Sequence, residues 1–309
     1  MLTLTFTLNP SVDLWVSVPK IRFDAVLRSP DERRFAGGKG INASRLLHAI
    51  GSPTVACALC DRDFAQLASR EDLPLFHTDP GVATRINIHA REEESGRLLK
   101  INTPGAPVSV AKFREFLAKL PGFRGQDVAL ILAGSLPPGL PDYAWTGIVR
   151  AQPWQPAVFL DVAGEPLRLT LEKSPPTVLK INRAEAQELL PWTIGSGFAG
   201  LEDAAKEFLT KGCEAVCLTD ARHGALLVQK DGQVWSCAPS RTVDRDVVGA
   251  GDSFLAGMAD AWNRGERGGE LLAFATACAT ARAIAPDDAF VRPQDIGEAL
   301  RDVKPRRLH

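Results

Sequence analysis

The segment DVVGAGDSFLAGM, residues 246–258, places two glycines, an aspartate and a serine immediately before an apolar run. A glycine-rich turn that opens a helix exposes backbone N–H groups, and the helix dipole adds partial positive charge there. Such a turn binds anions, including the charge that develops during phosphoryl transfer. Asp252, at the predicted helix start, can accept a proton from an attacking hydroxyl. The stretch alone leaves open an ordinary helix capped by Asp252 or Ser253.

Two familiar nucleotide-binding patterns do not fit the chain. The dinucleotide fingerprint G-x-G-x-x-G needs a third glycine where Phe254 stands, and it belongs in the first βα turn rather than near the C-terminus. The P-loop needs Ser or Thr after Gly-Lys, whereas Lys39 is followed by Gly40. The sequence therefore disfavours a dinucleotide oxidoreductase and a Walker-type site.

Two further segments have the composition of ligand-binding loops. AGGKGINASRLL, residues 36–47, places three glycines with Lys39 and Asn42 before a helix, which suits a hydroxylated, phosphorylated ligand. ILAGSLPPGLP, residues 131–141, places Ser135 at the carboxyl end of a strand, where ligands bind in open α/β sheets. A flexible loop at a helix start remains the alternative for the first segment.

VLKINRAEAQEL, residues 178–189, is another junction between a strand and a helix. Asn182 and Glu185 stand three residues apart across the helix start. Glu185 could hold Mg²⁺ through water, because Mg²⁺ keeps much of its hydration shell in proteins. The alternative is a capping box, in which the same two side chains cap the helix.

The bulk composition is that of a soluble globular protein. The chain has 309 residues, 45% of them hydrophobic and 24% charged, with a net charge of −1 that offers no basic field for nucleic acid. We find no apolar stretch long enough to span a bilayer and no signal peptide. Six cysteines in a chain of this length are not a disulfide framework, which favours the reducing cytoplasm. The C-x-x-C of Cys57 and Cys60 lacks a second ligand pair for zinc, and the scattered histidines are interpreted as surface or locally hydrogen-bonded residues.

Short β-rich runs alternate with helical patterns, which predicts parallel βαβ units. The strand candidates are Thr3–Leu8, Thr54–Leu59, Asp127–Leu132, Ala157–Asp161, Thr177–Ile181 and Ala215–Thr219. The helix candidates are Gly40–Ile50, Val110–Lys119, Arg183–Leu190, Leu201–Lys211, Gly251–Asn263 and Glu270–Ala285. Several of the strands are almost continuously apolar, as expected for central strands covered on both faces.

Two segments interrupt this rhythm and predict extra strands. One is Asp13–Val18, continuing through Ala25–Phe35, and the other is a hairpin of Thr84–Ala90 with Arg97–Ile101. Extra strands on a doubly wound protein form an edge flap that can close over a site or pair with another subunit. A plain decorated sheet edge is the alternative.

The order of these motifs along the chain resembles that of the PfkB-type sugar kinases of the ribokinase-like superfamily, over nearly the whole length. The resemblance rests on six segments: TLNPSVD (7–13), GGKGIN (37–42), TRINI (84–88), GSLPPG (134–139), LKINRAE (179–185) and VVGAGDSFLAG (247–257). The resemblance is greatest to the branch that phosphorylates sugar phosphates. It implies one domain, residues 1–309, with a doubly wound, mostly parallel sheet, helices on both faces, and a small β-sheet lid from about 11–36 and 84–103. It also implies a homodimer formed through the lid.

The resemblance implies transfer of the ATP γ-phosphate, with Mg²⁺, to a sugar phosphate. Fructose-1-phosphate is favoured, with fructose-6-phosphate and tagatose-6-phosphate as alternatives. Asp252 would be the catalytic base, beside an anion hole formed by Gly249, Ala250 and Gly251. Sugar-binding positions would be Asp13, Gly38, Lys39, Asn42 and Ser135.

The resemblance also implies which residues bind the acceptor's phosphate group and which lie near ATP and Mg²⁺. Arg85 would grip the phosphate already on the acceptor, with Arg28 assisting, because a guanidinium can bind two oxygens at once. Positions near ATP and Mg²⁺ would be Lys180, Asn182, Glu185, Thr219 and Gly224.

Departures from the family pattern concentrate near the nucleotide. Ile181 replaces the usual proline of a K-P-N motif, and Ala221 stands where a glycine is common, so the loop would need another backbone shape. These departures leave a second class of function open, a non-catalytic sugar-phosphate-binding regulator on a kinase fold.

Overall fold

The computed structural model describes residues 1–120, 128–152, 155–243, 247–286 and 289–309. The strands are β1 (Leu2–Thr7), β2 (Ser11–Val18), β3 (Glu32–Gly37), β4 (Thr54–Leu59), β5 (Leu75–Thr78), β6 (Arg85–Glu92), β7 (Leu98–Ile101), β8 (Val128–Ala133), β9 (Ala157–Asp161), β10 (Val178–Asn182), β11 (Ala215–Thr219), β12 (Ala225–Gln229), β13 (Val234–Cys237) and β14 (Arg306–Arg307). The helices are α1 (Lys39–Ala49), α2 (Arg62–Arg70), α3 (Val110–Lys119), α4 (Ala144–Arg150), α5 (Gly164–Lys173), α6 (Arg183–Leu189), α7 (Gly197–Leu209), α8 (Ala250–Asn263), α9 (Gly268–Ile284) and α10 (Pro293–Asp302).

The main sheet has the order β14-β13-β12-β11-β10-β9-β8-β1-β4-β5. Its strands are parallel from β5 to β11, and β12, β13 and β14 complete one side as an antiparallel extension. Along β8, side chains alternate between two hydrophobic clusters, with Leu130 in one and Ile131 in the other. Both faces of the sheet are therefore covered, which explains the almost continuously apolar strands. The predicted doubly wound α/β fold is confirmed.

A second sheet of four strands, in the order β3-β2-β6-β7, lies apart from the main sheet. The predicted hairpin forms β6 and β7, which pair antiparallel. The expectation for the preceding segment is wrong in part, because no strand begins until Glu32 and the chain from 19 to 31 forms turns and irregular structure. We call this second sheet the lid.

The six predicted core strands all form, within a residue or two of their expected ends, apart from Asp127, which lies outside the described residues. The helix expected at Leu201–Lys211 begins four residues earlier, at Gly197. The helices α2, α4, α5 and α10 and the strands β5, β12, β13 and β14 were not predicted from the sequence, and most of them are short or lie at an edge.

All six cysteines are buried and none forms a disulfide. Cys57, in β4, is fully buried, as predicted for a core strand. Across the parts of the chain that the structure describes, no helix has both the length and the apolar character needed to cross a membrane.

Candidate active site

The helix α8 begins with an open turn rather than with a side-chain cap. Gly249 is its N-cap residue, with a φ of 85° in the left-handed region that favours glycine, and no side chain caps the helix among the described residues. The capping interpretation of Asp252 or Ser253 is therefore wrong. Among the described residues no side chain caps the N–H groups of this first turn, and the anion site expected there stays a prediction.

Asp252 lies in this first turn and is 8% exposed. The side-chain amide of Asn42, on α1, donates a hydrogen bond of 2.8 Å to Asp252 Oδ2. Burial raises the pKa of the Asp252 carboxyl above its ordinary value, and the positive charge of Lys39 offsets this effect only in part. A carboxylate with a raised pKa beside a helix N-terminus has the properties of a general base.

Asp161, the last residue of β9, is fully buried and joins two lysines. Lys39 Nζ and Lys180 Nζ each lie 2.8 Å from one of its carboxylate oxygens. Burial works against ionisation of Asp161, but the two lysines prevail and lower its pKa. Burial also works against the charge on Lys39, but Asp161 and Asp252 raise its pKa. Two ammonium groups and one carboxylate give the three side chains one net positive charge, with Asp161 and Lys180 buried and the Lys39 side chain 35% exposed.

This charged group lies against the start of α8. A Cβ atom added at Gly251 would lie 3.1 Å from Lys180 Nζ, closer than nearly all Cβ contacts. Glycine at 251 therefore lets the ammonium group approach the helix N-terminus. Two sources of positive potential, the ammonium and the helix dipole, converge where an anion would bind.

The glycines of the loop before α1 allow close packing around Asp13. A Cβ at Gly37 would lie 2.3 Å from Asp13 Oδ2, and a Cβ at Gly38 would meet the methyl group of Thr7 at 2.6 Å. Gly38 also has a φ of 124°, which side chains rarely adopt. Asp13 Oδ1 accepts a hydrogen bond of 2.7 Å from the Ser11 hydroxyl.

A cavity of about 590 Å³ lies between the lid and the carboxyl ends of the core strands. It brings together seven of the predicted residues: Asp13, Gly38, Lys39, Asn42, Arg85, Ser135 and Asp252. The carboxyl ends of parallel strands share one edge of a sheet, which explains why motifs 240 positions apart in the sequence meet there. We call this space the acceptor cavity.

Arg85 lines the acceptor cavity but uses much of its hydrogen-bonding capacity on the backbone. Its Nη1 donates to the Thr103 carbonyl at 2.7 Å, and its Nη2 donates to the Asn9 carbonyl at 3.0 Å. Burial lowers the pKa of Arg85, an effect that nearby Asp13 opposes. Arg28 is exposed between β2 and β3 and does not line the cavity.

A second cavity, of about 670 Å³, lies on the other side of the start of α8. Its lining includes Thr219, Gly224, Ala250 and Gly251. Gly224 has a φ of 100°, and a Cβ there would lie 2.2 Å from the Cys237 carbonyl oxygen, so only glycine fits. The first turn of α8 therefore faces both cavities, since Asp252 lines the acceptor cavity and the two residues before it line the second one.

The loop after β11 places Ala221 in an unusual backbone conformation. Ala221 has a φ of 44°, in the left-handed region that glycine adopts without strain. An alanine there costs about 1 kcal/mol. The expected change of backbone shape in this loop stays a prediction.

Asn182 and Glu185 form the capping box that the sequence left open as an alternative. Glu185 N–H donates to Asn182 Oδ1 at 2.9 Å, and Asn182 N–H donates to Glu185 Oε2 at 3.0 Å. The other oxygen, Glu185 Oε1, lies 4.0 Å from Lys39 Nζ. The described residues contain no cluster of three or more His, Cys, Asp or Glu side chains that could hold a metal ion. This donor set fits an ion that arrives with phosphate oxygens and water and touches the protein through few groups, as Mg²⁺ does.

Several residues of this region were not found from the sequence. Asp161 had a signal, because it is a charged residue that ends an apolar strand at the ligand-binding edge of the sheet. His89 and Lys100 line the acceptor cavity. The interpretation of the histidines as surface or locally hydrogen-bonded residues is wrong for His89, which is 3% exposed and has no hydrogen-bond partner for either ring nitrogen in the described structure.

Arg282, on α9, is another residue of this region that was not predicted from the sequence. Its Nε donates to the Val248 carbonyl at 2.9 Å, and its Nη1 donates to the carbonyls of Pro286 and Ala289 at 3.0 and 3.2 Å. Val248 directly precedes the Gly249 turn. The guanidinium thus ties the turn at the start of α8 to the chain that follows α9.

The chain is similar in sequence and in fold to proteins of a known family. The pfkB family carbohydrate kinase model matches residues 8–289. The chain is 31% identical over 266 residues to 1-phosphofructokinase from Xanthomonas campestris pv. campestris, covering 84% of this chain and 83% of that protein. It is 32% identical over 262 residues to 1-phosphofructokinase from Bacillus subtilis, covering 82% of this chain and 83% of that protein.

Phosphofructokinase-2 from Escherichia coli, solved in complex with potassium, has the same fold, with a TM-score of 0.90 at 24% identity over 97% of this chain and 98% of that one. The family match covers the start of α8, the lid, the second cavity and, apart from Thr7, the lining of the acceptor cavity. The chain belongs to the pfkB family of carbohydrate kinases, enzymes that transfer a phosphoryl group to a sugar.

Proposed function

We propose that this protein transfers the γ-phosphoryl group of ATP to fructose-1-phosphate and forms fructose-1,6-bisphosphate. The observation that carries the proposal is the position of the first turn of α8. It lines the acceptor cavity through Asp252 and the second cavity through Ala250 and Gly251. A phosphoryl group that passes between two bound reactants must cross one such point, and in-line transfer depends mostly on positioning and on stabilisation of charge.

In the proposed reaction, Asp252 accepts the proton of the sugar hydroxyl at C6. The hydroxyl oxygen forms a bond to the γ-phosphorus as the bond to the bridging oxygen breaks, and ADP leaves with that electron pair. The N–H groups of Gly249, Ala250 and Gly251 stabilise the charge on the transferred oxygens. Asn42 holds the base in place through its 2.8 Å hydrogen bond.

Lys39 and Lys180 provide positive charge without direct chemistry. Asp161 fixes both ammonium groups at 2.8 Å, so their positions do not depend on the ligand. A charge that is already in place does not have to reorganise as the transition state forms. We infer that Lys180, beside Gly251, faces the ATP phosphates and that Lys39 faces the acceptor side.

The second cavity is proposed to hold ATP, with Thr219 and Gly224 near the nucleotide. Mg²⁺ would neutralise phosphate charge when it is bound with ATP. Glu185 would hold this ion through water with its Oε1 oxygen, since Oε2 caps α6. Asn182 then serves mainly to start the helix that carries Glu185.

Fructose-1-phosphate is proposed as the acceptor because the two curated relatives described above are 1-phosphofructokinases. Asp13, Asn42, Ser135 and the loop of Gly38 supply the donors and acceptors that a sugar requires. Arg85, and in a closed lid Arg28, would contribute positive charge toward the sugar's phosphate.

A coupled assay of ADP formation tests the proposal across fructose-1-phosphate, fructose-6-phosphate and tagatose-6-phosphate. We expect the highest kcat/KM with fructose-1-phosphate. A higher value with either of the others would change the assigned substrate. Turnover of none of the three, with sugar-phosphate binding but no ATP binding in calorimetry, would favour the non-catalytic regulator instead.

We also propose that two copies of the chain associate through the lid. The lid face that points away from the acceptor cavity carries Ile86, Leu99 and Ile101, which are 42, 44 and 47% exposed. A contiguous apolar sheet face of this kind marks an interaction surface. Light scattering should give twice the chain mass of 33.3 kDa, and Ile101→Glu should shift the protein toward the single-chain mass. A wild-type protein that stays at the single-chain mass at high concentration would contradict this.

A further inference from the structure

Asn42 stands between the proposed base and a second charged side chain of α1. Its side-chain NH2 donates to Asp252 Oδ2 at 2.8 Å, and its Oδ1 accepts a hydrogen bond of 2.8 Å from Arg45 Nη1. An arginine can only donate and an ionised carboxylate can only accept, so the two neighbours together fix which end of the amide faces the base. The orientation of Asn42 therefore depends on Arg45 as well as on Asp252.

Arg45 is itself held by three parts of the chain. Its Nη2 donates to Glu71 Oε2 at 2.6 Å and also to the carbonyl of Ala36 on β3. Glu71 Oε1 accepts a hydrogen bond of 2.8 Å from the N–H of Ala36. The guanidinium also lies over the ring of Phe290, 4.6 Å from its centroid. A planar group held at its edge and on its face has little freedom, so its contact with Asn42 is fixed in place.

Stability gives a poor explanation of this arrangement. The side chains of Arg45 and Glu71 are 16 and 9% exposed, and an ion pair that is largely buried often adds little or nothing to stability. Arg45 Nε is buried and has no hydrogen-bond partner among the described residues, which costs free energy. The geometry instead places the pair where it acts on Asn42.

The contact also affects how strongly Asn42 binds the base. A positive charge at the carbonyl end of an amide polarises it and makes its N–H groups better donors. The hydrogen bond from Asn42 lowers the pKa of Asp252 and so opposes the effect of burial. The path from Arg45 to the base runs through Asn42. The charged groups packed around Asp252 and its turn are Lys39 on α1, Asp161 on β9, Lys180 on β10 and Arg282 on α9.

We propose that Arg45 and Glu71 are positioning residues for phosphoryl transfer, which hold Asp252 through Asn42 so that it can accept the proton of the sugar hydroxyl. The proposal rests on the proposed function, because it concerns the base of the same site. Glu71 fixes Arg45, Arg45 fixes Asn42, and Asn42 holds the carboxylate. Because the same pair binds both backbone groups of Ala36, it also ties lid strand β3 to the base.

Arg45→Met removes the guanidinium and keeps an unbranched side chain. We expect kcat to fall about thirtyfold, because a base that is poorly held loses part of its roughly 10²- to 10⁴-fold contribution. The KM values for ATP and fructose-1-phosphate should change by less than about threefold. Arg45→Lys, which keeps the charge and one donor, should recover part of the rate. Glu71→Gln, which loosens Arg45 without removing it, should lower kcat by about threefold.

Two readouts separate positioning from a general loss of structure. Guanidinium ion, added to Arg45→Ala well below the concentrations that unfold proteins, should raise kcat by about fivefold, whereas methylammonium should not, because it lacks the planar fork. In Arg45→Met the acidic limb of kcat should lie about half a pH unit higher than in the wild type. A weaker hydrogen bond from Asn42 leaves the effect of burial on the pKa of Asp252 less opposed.

Arg264→Met is the matched control. Arg264 is also paired with a carboxylate, that of Asp260, and lies 4.3 Å from the centroid of the Phe274 ring, but it lines neither cavity. Its kcat should stay within about twofold of wild type. Equal kcat values in Arg45→Met and Arg264→Met would refute the positioning role. So would a loss of rate that guanidinium does not reverse, or an acidic limb that stays at its wild-type pH.

The two proposals can fail separately. A wild-type enzyme that phosphorylates fructose-1-phosphate while Arg45→Met keeps its kcat refutes the positioning role and leaves the function intact. A wild type that turns over no sugar phosphate refutes the function. In that case the side-chain amide signals of Asn42 in NMR, assigned by their absence from Asn42→Asp, decide the positioning role. A change of these signals in Arg45→Met but not in Arg264→Met supports it, and unchanged signals refute it.

Discussion

Replacing Asp252 with asparagine should lower kcat by about a thousandfold, because a positioned general base contributes roughly 10²- to 10⁴-fold. Asparagine keeps the size of the side chain and can still accept the hydrogen bond from Asn42, so the cavity should keep its shape. Sugar-phosphate binding, measured by calorimetry or by thermal shift, should change by less than about threefold. The measurement is steady-state kinetics with fructose-1-phosphate and ATP.

Asp203→Asn is the control, since Asp203 is an exposed carboxylate on α7, remote from both cavities. It should have wild-type kcat. If Asp252→Asn kept more than about a tenth of the wild-type kcat, another group would have to be the base.

The pH dependence gives an independent check on Asp252. The base works only when it is deprotonated, so kcat should fall as the pH falls through its pKa. Burial raises that pKa, which places the acidic limb above the ordinary aspartate value of about 3.9. In Asp252→Asn this limb should disappear from the residual activity. A wild-type rate that stayed constant down to pH 4 would argue against a raised pKa at the base.

Replacing Asp161 with asparagine should lower the free energy of unfolding by about 3 kcal/mol, because it leaves buried Lys180 and half-buried Lys39 without their shared carboxylate. Lys180 is only 5% exposed and cannot reach water without rearrangement. The same change should lower kcat by about a hundredfold, since the fixed positive charge near Gly251 would move. Urea unfolding and steady-state kinetics measure the two effects.

Glu94→Gln provides the control, an exposed carboxylate that is also ion-paired, with Lys20 at 3.2 Å. Exposed pairs contribute little, so its loss should be no more than about 1 kcal/mol. Similar destabilisation in both variants would mean that burial of the Asp161 group does not matter.

The linkage sign for Asp161 follows from its lowered pKa. An acid whose pKa is lower in the folded state contributes stability above its unfolded pKa, about 3.9 for aspartate. That contribution is lost as the pH falls through the folded-state value. The stability difference between wild type and Asp161→Asn should therefore be greatest near neutral pH and shrink in acid.

Much of the fold could be predicted because the signals are local. The strands β1, β4, β8, β9, β10 and β11 are apolar runs bounded by polar residues, and their period and length can be seen without any partner. The elements that were missed have weaker signals. For example, α4 spans only seven residues, and β14 has two exposed arginines.

The candidate site also has features that could be predicted from the sequence and features that could not. The turn at Gly249 and the position of Asp252 in the first helical turn depend on neighbours in sequence, so the motif itself determined them. The exclusion of a side-chain cap required the structure, in which Gly249 is the N-cap residue and Asn42, 210 positions away, donates a hydrogen bond to Asp252. No local pattern indicates which distant side chain will donate a hydrogen bond to a given carboxylate.

The sequence by itself determined the order of strands and helices, the glycine turns and the edge of the sheet where the polar residues collect, because these follow from periodicity and backbone conformation over a few residues. Only the tertiary structure decided the pairing of Asp161 with Lys39 and Lys180, the engagement of Arg85 with backbone carbonyls, and the burial of His89 in a stack with Trp15. Those contacts depend on the strand register, on the position of the lid, and on which of several nearby polar groups pairs with a given charged side chain. They are properties of the packed chain, in which a buried charge or donor is satisfied only by what long-range folding brings beside it.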